Sequence, residues 1–488
     1  MELTELTIAE AKRMLAAKEI SAKDLLSAHI DEIKRHDGDV HAFLEVFEDD
    51  AFAQARVIDK QRVAGEELAE LAGIPIGIKD LIMMKGRKAT AGSQILDRYV
   101  ASYDSTVAKR LKDSGAILLG RTNMDEFAMG SSNETSHFGP VSNPWDLSRV
   151  PGGSSGGSAA CVAGRMAMGS YGSDTGGSIR QPASLSGVVG LKPTYGRVSR
   201  HGIIALASSL DQVGPFARTV DDVATLLRIV EGKDPMDATS AHLGETTIAE
   251  LLHLENIKGL RIGIPKEYFI DGMDSEVEAR VRDVITLLQS HGAEIIEVSL
   301  PHSPRALEAY YIIQPAEASA NLERYDGMRF GQRSTAPALV DTYKMTRGEG
   351  FGAEVKRRIM LGTFVLSAGY ADAFYKKALA VRQLVRRDFD TVFKDVDVLL
   401  TPTTPTTAWP LGEKFNDPIA MYLADVFTVA LNLAGLPGMS IPCGFAHGLP
   451  VGFQVIGKPF DEATLFKAGH FYQSITDWHT KNPWQKDV

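Results

Sequence analysis

Three stretches of this 488-residue chain hold side chains able to do chemistry together. Lys79 closes a short apolar run, Ala72-Gly73-Ile74-Pro75-Ile76-Gly77-Ile78-Lys79-Asp80. Two glycine–serine segments follow, Gly152-Gly153-Ser154-Ser155-Gly156-Gly157-Ser158 and Gly172-Ser173-Asp174-Thr175-Gly176-Gly177-Ser178. A serine hydroxyl is a weak nucleophile at neutral pH and needs a base within hydrogen-bond reach. A lysine can be that base when burial keeps its amine uncharged. Lys79 is the cation that stands beside a glycine-lined apolar segment. The glycines of Thr175-Gly176-Gly177-Ser178 let successive main-chain N–H groups converge on one point, as an oxyanion hole requires. One lost donor there typically costs about 3–4 kcal/mol. The chemistry is that of a Ser/Lys hydrolase, and a purely structural glycine-rich loop accounts for the same pattern.

Other readings of these residues are weaker. Gly153-Ser154-Ser155-Gly156-Gly157 fits the G-x-S-x-G elbow, but that motif needs a preceding strand and a histidine partner. Here Pro144 to Pro151 is a polar loop. Asp174-Thr175-Gly176 resembles half of an aspartic-protease dyad without a second copy. No Gly-Lys-Ser/Thr follows the glycines, and G-x-G-x-x-G after a strand is missing, so a phosphate cradle is disfavoured. Cys161 and Cys443 each lie in an apolar run and read as packed, inert thiols.

The elements that must position these groups alternate between strand and helix. Thr7-Ile8-Ala9-Glu10 predicts a capping box opening an amphipathic helix, and Ser21 opens a second helix ending near His36. The first seventy residues read as helical. Strands are then predicted at 72–80 and 117–120 around a helix at 104–116. Further strands fall at 260–265, 295–298, 396–400, 439–441 and 451–455, with a helix at 275–291 and a mainly helical stretch from about 305 to 393. This alternation predicts an α/β layered fold.

Composition sets the outer bounds. Hydrophobic residues make up 44% and charged residues 23%, ordinary for a globular protein. The net charge of −10 disfavours a large nucleic-acid surface on this chain alone. Two cysteines exclude a disulfide scaffold and a cysteine-based zinc site and fit a reducing compartment. The acidic start, Met1-Glu2-Leu3-Thr4-Glu5, lacks a signal-peptide pattern. The uncharged stretch from Val426 to Gly457 is broken by Gly435, Pro437, Gly438, Pro442 and Gly444, so it is no membrane span. A cytoplasmic location is expected.

The run from Gly152 to Arg180, taken with Lys79, resembles the signature of the amidase signature family. The resemblance implies an α/β/α fold with a mixed central sheet covered by helices on both faces. It implies one domain over 1–488, divided into a helical N-terminal segment (1–70), a catalytic signature region (71–220) and the remaining sheet with a helical substrate-pocket region (221–488). It also implies a Ser–cis-Ser–Lys triad, in which Ser178 is acylated, Ser154 bridges and Lys79 is the base. The oxyanion hole would be the N–H groups of Thr175, Gly176, Gly177 and Ser178, with Asp174 and Arg180 supporting the loop.

Within the family, the chain is most similar to the glutaminase subunits of tRNA-dependent amidotransferases. The likeness covers nearly the whole chain and rests on the segments 122–130, 191–199, 207–212, 354–359 and 432–437. That branch takes ammonia from glutamine and passes it to a partner that activates misacylated tRNA with ATP. By resemblance Arg358 receives the α-carboxylate and Asp425 the α-ammonium, while Tyr310 (of Tyr310-Tyr311), Met129 and Gly130 line the pocket. Asp425 is the one charge in its apolar run, so it needs a partner if buried. Arg358 follows Lys356 and Arg357, which alone reads as a solvated basic face. Neither metal nor cofactor is expected on this chain; ATP and Mg2+ belong to the partner, in a heteromer with a tRNA-binding B subunit, completed by a small C subunit. The competing readings are a stand-alone amidase for a small or aryl carboxamide, without the Arg358/Asp425 clamp, and a nucleotide-binding regulatory module resting on the glycines.

Overall fold

The computed structural model describes residues 2–242 and 256–485. Eleven strands form one mixed sheet: β1 (Phe43–Val46), β2 (Pro75–Lys79), β3 (Ile117–Thr122), β4 (Gly169–Asp174), β5 (Val189–Lys192), β6 (Gln212–Ala217), β7 (Arg261–Pro265), β8 (Glu294–Val298), β9 (Val398–Pro402), β10 (Gly438–Ala446) and β11 (Leu449–Gly457). Their order is β1-β3-β2-β4-β6-β5-β10-β11-β9-β7-β8. Helices flank the sheet, as the α/β alternation predicts.

Two parallel groups stand out. β2 pairs in parallel with both β3 and β4, and β7 pairs in parallel with β8 and β9; the other pairings are antiparallel. β2 to β6 and β9 are buried at every position, which fits their continuous apolar and small-residue runs. Because β2, β3 and β4 run the same way, their carboxyl ends share one edge, where α/β sheets place their sites. Lys79 ends β2, Thr122 ends β3 and Asp174 ends β4.

Local chemistry explains the helix starts. Thr7 and Ser21 each accept from the backbone three residues on, while Glu10 and Asp24 reach back, completing two capping boxes. The second helix, Ala22–Val40, runs four residues past His36. The first seventy residues are not wholly helical, because Phe43–Val46 pairs antiparallel with β3. β4, β5 and β6 also lie outside the predicted strands, the first inside the glycine–serine zone. The Gly214-Pro215 of β6 reads as a turn, yet Pro215 sits opposite Tyr171 in the sheet. Among the described residues no helix is long and apolar enough to cross a membrane.

Candidate active site

The three serine and lysine segments converge at the β2–β4 edge. Lys79 is fully buried, and its Nζ lies 2.8 Å from Ser154 Oγ, 2.8 Å from Ser155 Oγ and 2.9 Å from Ser173 Oγ. Burial pushes its pKa down from 10.5 to about 7, against the pull of Asp125, Asp174 and Asp211. The amine is therefore poised to lose its proton near neutrality.

The hydrogens can be assigned. Ser155 donates its only hydroxyl proton to the Ser173 carbonyl at 3.0 Å, so it can only accept from Lys79. An uncharged Nζ has two N–H groups and one lone pair. When the second N–H goes to Ser173, the lone pair faces the Ser154 hydroxyl, the arrangement in which Lys79 can act as base. Ser155, the elbow serine on paper, is buried and spent on this network, which removes it as a nucleophile.

The loop that carries Ser154 is held from three sides. The Gly153–Ser154 peptide is cis. Gln181 bridges, accepting from Gly153 N at 2.9 Å and donating to the Ser131 carbonyl at 2.7 Å. Asp125 N donates to Ser154 O at 3.2 Å. A Cβ on Gly153 would run into the Asp125 carboxylate, which itself accepts from Asn133 N and Thr135 N.

Ser178 lies beside Ser154 through the Ser155 N–H, which donates to Ser178 O at 3.3 Å. Ser178 retains 7% exposure, whereas Lys79 and Ser154 retain none, so it is the member of the three that a substrate reaches. Its hydroxyl makes no hydrogen bond among the described residues. Catalytic contacts commonly tighten only with substrate in place.

Asp174 fixes the turn around Ser178. Its carboxylate is gripped by Arg180 Nε and Nη2, both at 3.1 Å, and by Asn432 Nδ2 at 2.8 Å. Burial would raise this carboxyl, but the Arg180 guanidinium holds it down at about 2. Asp174 also accepts from Gly177 N at 2.8 Å and Ile179 N at 3.2 Å. The Gly177 N–H is thus spent on Asp174, which corrects the expectation of four open donors. The N–H groups of Thr175, Gly176 and Ser178 have no partner among the described residues. Gly177 has φ +139°, and Gly176 abuts Tyr310, where a Cβ would come within 2.6 Å of Oη.

A second cluster lies beyond Tyr310. Arg358 is buried, its Nε donating to Glu354 at 2.7 Å and its Nη1 to Gln314 at 2.8 Å. The solvated basic face is Lys356 and Arg357; Arg358 turns inward over Tyr311 and Tyr422, two rings stacked 3.9 Å apart. Asp425 is buried and accepts from Ser131 Oγ at 2.8 Å and Tyr311 Oη at 3.1 Å. Burial raises its carboxyl to about 7, against those two hydrogen bonds. Of the tyrosine pair, Tyr310 meets the Gly176 loop and Tyr311 meets Asp425. Met129 is buried and Gly130 packs on Asp125, so their segment reaches Asp425 through Ser131.

Burial alone does not select the base. Lys192 is equally buried and also lowered to about 7, but its Nζ donates to the Pro193 carbonyl at 2.8 Å. No serine hydroxyl bonds to it among the described residues. Cys161 and Cys443 are buried, and burial pushes both thiols up, away from thiolate chemistry. No cluster of His, Cys, Asp and Glu among the described residues could hold a metal ion.

Sequence reasoning misses Ser155, Ser173, Gln181, Ser131 and Glu354. The serines lie inside the glycine-rich segments or just after the 122–130 stretch, Gln181 has no local signal, and Glu354 lies in the 354–359 stretch without a role read from it.

A buried lysine hydrogen-bonded to a serine behind a glycine-rich nucleophile loop is an amide-hydrolase arrangement, and the chain belongs to the amidase family: the family described as Amidase matches residues 24–466. Among its relatives, the A subunit of glutamyl-tRNA(Gln) amidotransferase from Carboxydothermus hydrogenoformans is 54% identical over 484 residues, covering 99% of this chain and 100% of that protein. The crystal structure of the A subunit of the Thermotoga maritima enzyme is 42% identical with a TM-score of 0.80, covering 96% of this chain and 94% of that one. The peptide amidase of Stenotrophomonas maltophilia is 30% identical with a TM-score of 0.83, covering 99% of both chains.

Proposed function

We propose that this chain is the glutaminase component of a tRNA-dependent amidotransferase. Glutamine is hydrolysed at Ser178, and the ammonia is passed to a partner that converts Glu-tRNA(Gln), Asp-tRNA(Asn) or both. The observation that carries the chemistry is the 2.8 Å contact between Ser154 and a dry lysine lowered to about 7. Lys79 Nζ takes the Ser154 proton as Ser154 takes the proton of Ser178, and Ser178 Oγ bonds to the carboxamide carbon. The carbonyl oxygen becomes an oxyanion facing the open N–H groups of Thr175, Gly176 and Ser178. On collapse the C–N bond breaks, the proton returns through Ser154 to the leaving nitrogen, and ammonia departs. Water then cleaves the acyl-enzyme by the same relay.

Arg358 and Asp425, opposite charges that both meet Tyr311, support glutamine as the amide, matching an α-carboxylate and an α-ammonium. The C. hydrogenoformans and T. maritima relatives, each an A subunit of glutamyl-tRNA(Gln) amidotransferase, support a multi-subunit enzyme. Our reading completes it with a tRNA-binding B subunit carrying ATP and Mg2+ and a small C subunit. A stand-alone amidase has no use for such a pair of charges.

The test is glutamate release from glutamine by the purified chain, alone and with B and C subunits, ATP and Glu-tRNA. Ser178→Ala abolishes acylation and Lys79→Ala is nearly as severe. Strong partner-independent turnover of simple amides, with none of glutamine, would overturn the reading.

A further inference from the structure

The helix Ala353–Leu366 carries apolar side chains on two opposite faces, beside Arg358 on the inner one and Lys356 and Arg357 at the start of the outer one. Its inner face, Val355, Arg358, Gly362 and Val365, is buried against the helix Ala306–Asn321, so closely that Gly362 has no room for a Cβ beside the Pro315 carbonyl. The outer face carries Met360, 71% exposed, and Phe364, 47% exposed, one turn apart. Beyond the helix end Tyr370 is 45% exposed, and Phe364, Tyr370 and Phe374 pack as one aromatic group with ring centres 4.5, 6.1 and 6.0 Å apart. No charged residue occurs from Ile359 to Ala371. A π-helical turn, Ala371–Tyr375, ends the segment, a feature frequent at functional sites.

Beyond Arg358 the helix is apolar or uncharged on its outer as well as its inner side, leaving apolar surface for a partner to cover. Contiguous exposed apolar surface with aromatic residues marks an interface. The rim is basic although the chain is acidic: Lys356, Arg357, Lys376 and Lys377 stand around it, with Asp372 and Glu354 opposing them.

We infer that this face docks another subunit of the amidotransferase, one that presents an apolar surface edged by acidic side chains. The inference rests on the functional reading above. The relative from C. hydrogenoformans, itself one subunit of an amidotransferase, is covered over its whole length, so the chain matches one component of a larger enzyme. With Arg357 and Lys376 paired to Glu354 and Asp372, Lys356 and Lys377 leave the rim net positive, which selects an acidic-rimmed partner over a second copy of this face. The same helix carries Arg358 inward, so docking outside bears on the pocket wall.

The test is co-expression of the chain with B and C subunits, followed by affinity capture and size-exclusion chromatography. Phe364→Glu/Tyr370→Glu is expected to weaken association at least ten-fold while the isolated chain keeps its melting temperature and its hydrolysis of a small neutral amide. Phe364→Ser, a milder change, is expected to weaken association to a lesser degree. Val63→Glu, on an exposed residue of a different helix, leaves assembly intact. Unchanged assembly of both aromatic variants overturns the inference, as does a self-dimer of the wild-type chain that the same substitutions dissolve. A wild-type chain that hydrolyses only simple amides and binds neither B nor C instead sinks the functional reading.

Discussion

Arg358 and Asp425 meet Tyr311 from two sides without meeting each other. The Tyr311 hydroxyl donates to Asp425 at 3.1 Å, and the Arg358 guanidinium carbon lies 5.2 Å from the centre of the same ring. No ion pair joins the two charges among the described residues. Arg358 is instead paired with Glu354 and Asp425 accepts two hydroxyl protons, and in the function proposed above the two charges, held apart by a phenol, would share one zwitterionic ligand.

Glu354 sets the Arg358 fork. Its Oε1 accepts from Arg358 Nε at 2.7 Å and from Tyr422 Oη at 2.9 Å, which fixes the guanidinium plane and leaves Nη2 without a protein partner among the described residues. Glu354→Ala removes a charge-assisted hydrogen bond worth about 1.5–3 kcal/mol. The Michaelis constant for glutamine is expected to rise about ten-fold or more, while turnover of a neutral amide changes less than two-fold. Glu354→Gln keeps an oxygen acceptor and recovers most of the affinity. Equal loss for both substrates would show that Glu354 only supports the fold.

Two groups titrate near pH 7 in this site, with the same sign for activity. Lys79 must be uncharged to accept a proton, and its neutral fraction grows as pH rises through about 7. Asp425 must be ionised to hold an ammonium, and that fraction also grows through about 7. For glutamine, kcat/KM falls below pH 7 with a slope approaching two, and for a neutral amide with a slope of one. Asp425→Asn weakens glutamine use and reduces its slope to one. A neutral amide whose rate stays flat from pH 8 to 5.5 rules out Lys79 as the base.

Much of the scaffold is legible because its signals are local. Capping boxes at Thr7 and Ser21, the apolar run ending at Lys79 and Gly292, which follows the helix Ser275–Ser290 at φ +94°, each depend on neighbours a few residues away. β1, β4, β5 and β6 are not: Phe43–Val46 is short and only half-buried, β4 is built of glycine and serine with one tyrosine and a closing aspartate, β5 is four residues long, and β6 is interrupted by Gly214-Pro215. At the site, residue types and spacing reach a lysine and serine-rich loops, and family resemblance assigns their order. The partners that set geometry lie far away in sequence. Glu354 supports an arginine whose pocket is completed by Asp425, and Gln181 ties together loops carrying Ser131 and Ser154. No periodicity reports such contacts.

Asp174 and Arg180 are both fully buried, and each depends on the other. Asp174→Asn leaves an uncompensated guanidinium and loosens the Gly177 and Ile179 N–H anchors. Breaking such a pair from one side typically costs about 3–5 kcal/mol. The urea midpoint is expected to drop accordingly, and Asp174→Asn/Arg180→Gln to cost less than the sum of the two single changes. Additive losses would refute the coupling.

Gly176 is small because of Tyr310. Its φ is not in the left-handed region, so alanine is conformationally allowed, but the new methyl group would stand 2.6 Å from both Cζ and Oη of a buried phenol. Something must move, and with the Tyr310 ring buried the displacement falls on the loop whose Thr175, Gly176 and Ser178 N–H groups form the proposed oxyanion hole. Loss of one such donor costs about 10²–10³ in turnover, so Gly176→Ala is expected to lose about two orders of magnitude in kcat with the melting temperature little changed. Tyr310→Val opens the space the methyl group needs. Gly176→Ala/Tyr310→Val should therefore turn over a neutral amide at least ten-fold faster than Gly176→Ala alone, measured by acyl-enzyme formation in a single turnover. If the second substitution restores nothing, the loss at Gly176 does not come from collision with Tyr310, and the placement of that tyrosine against the nucleophile loop loses its functional meaning.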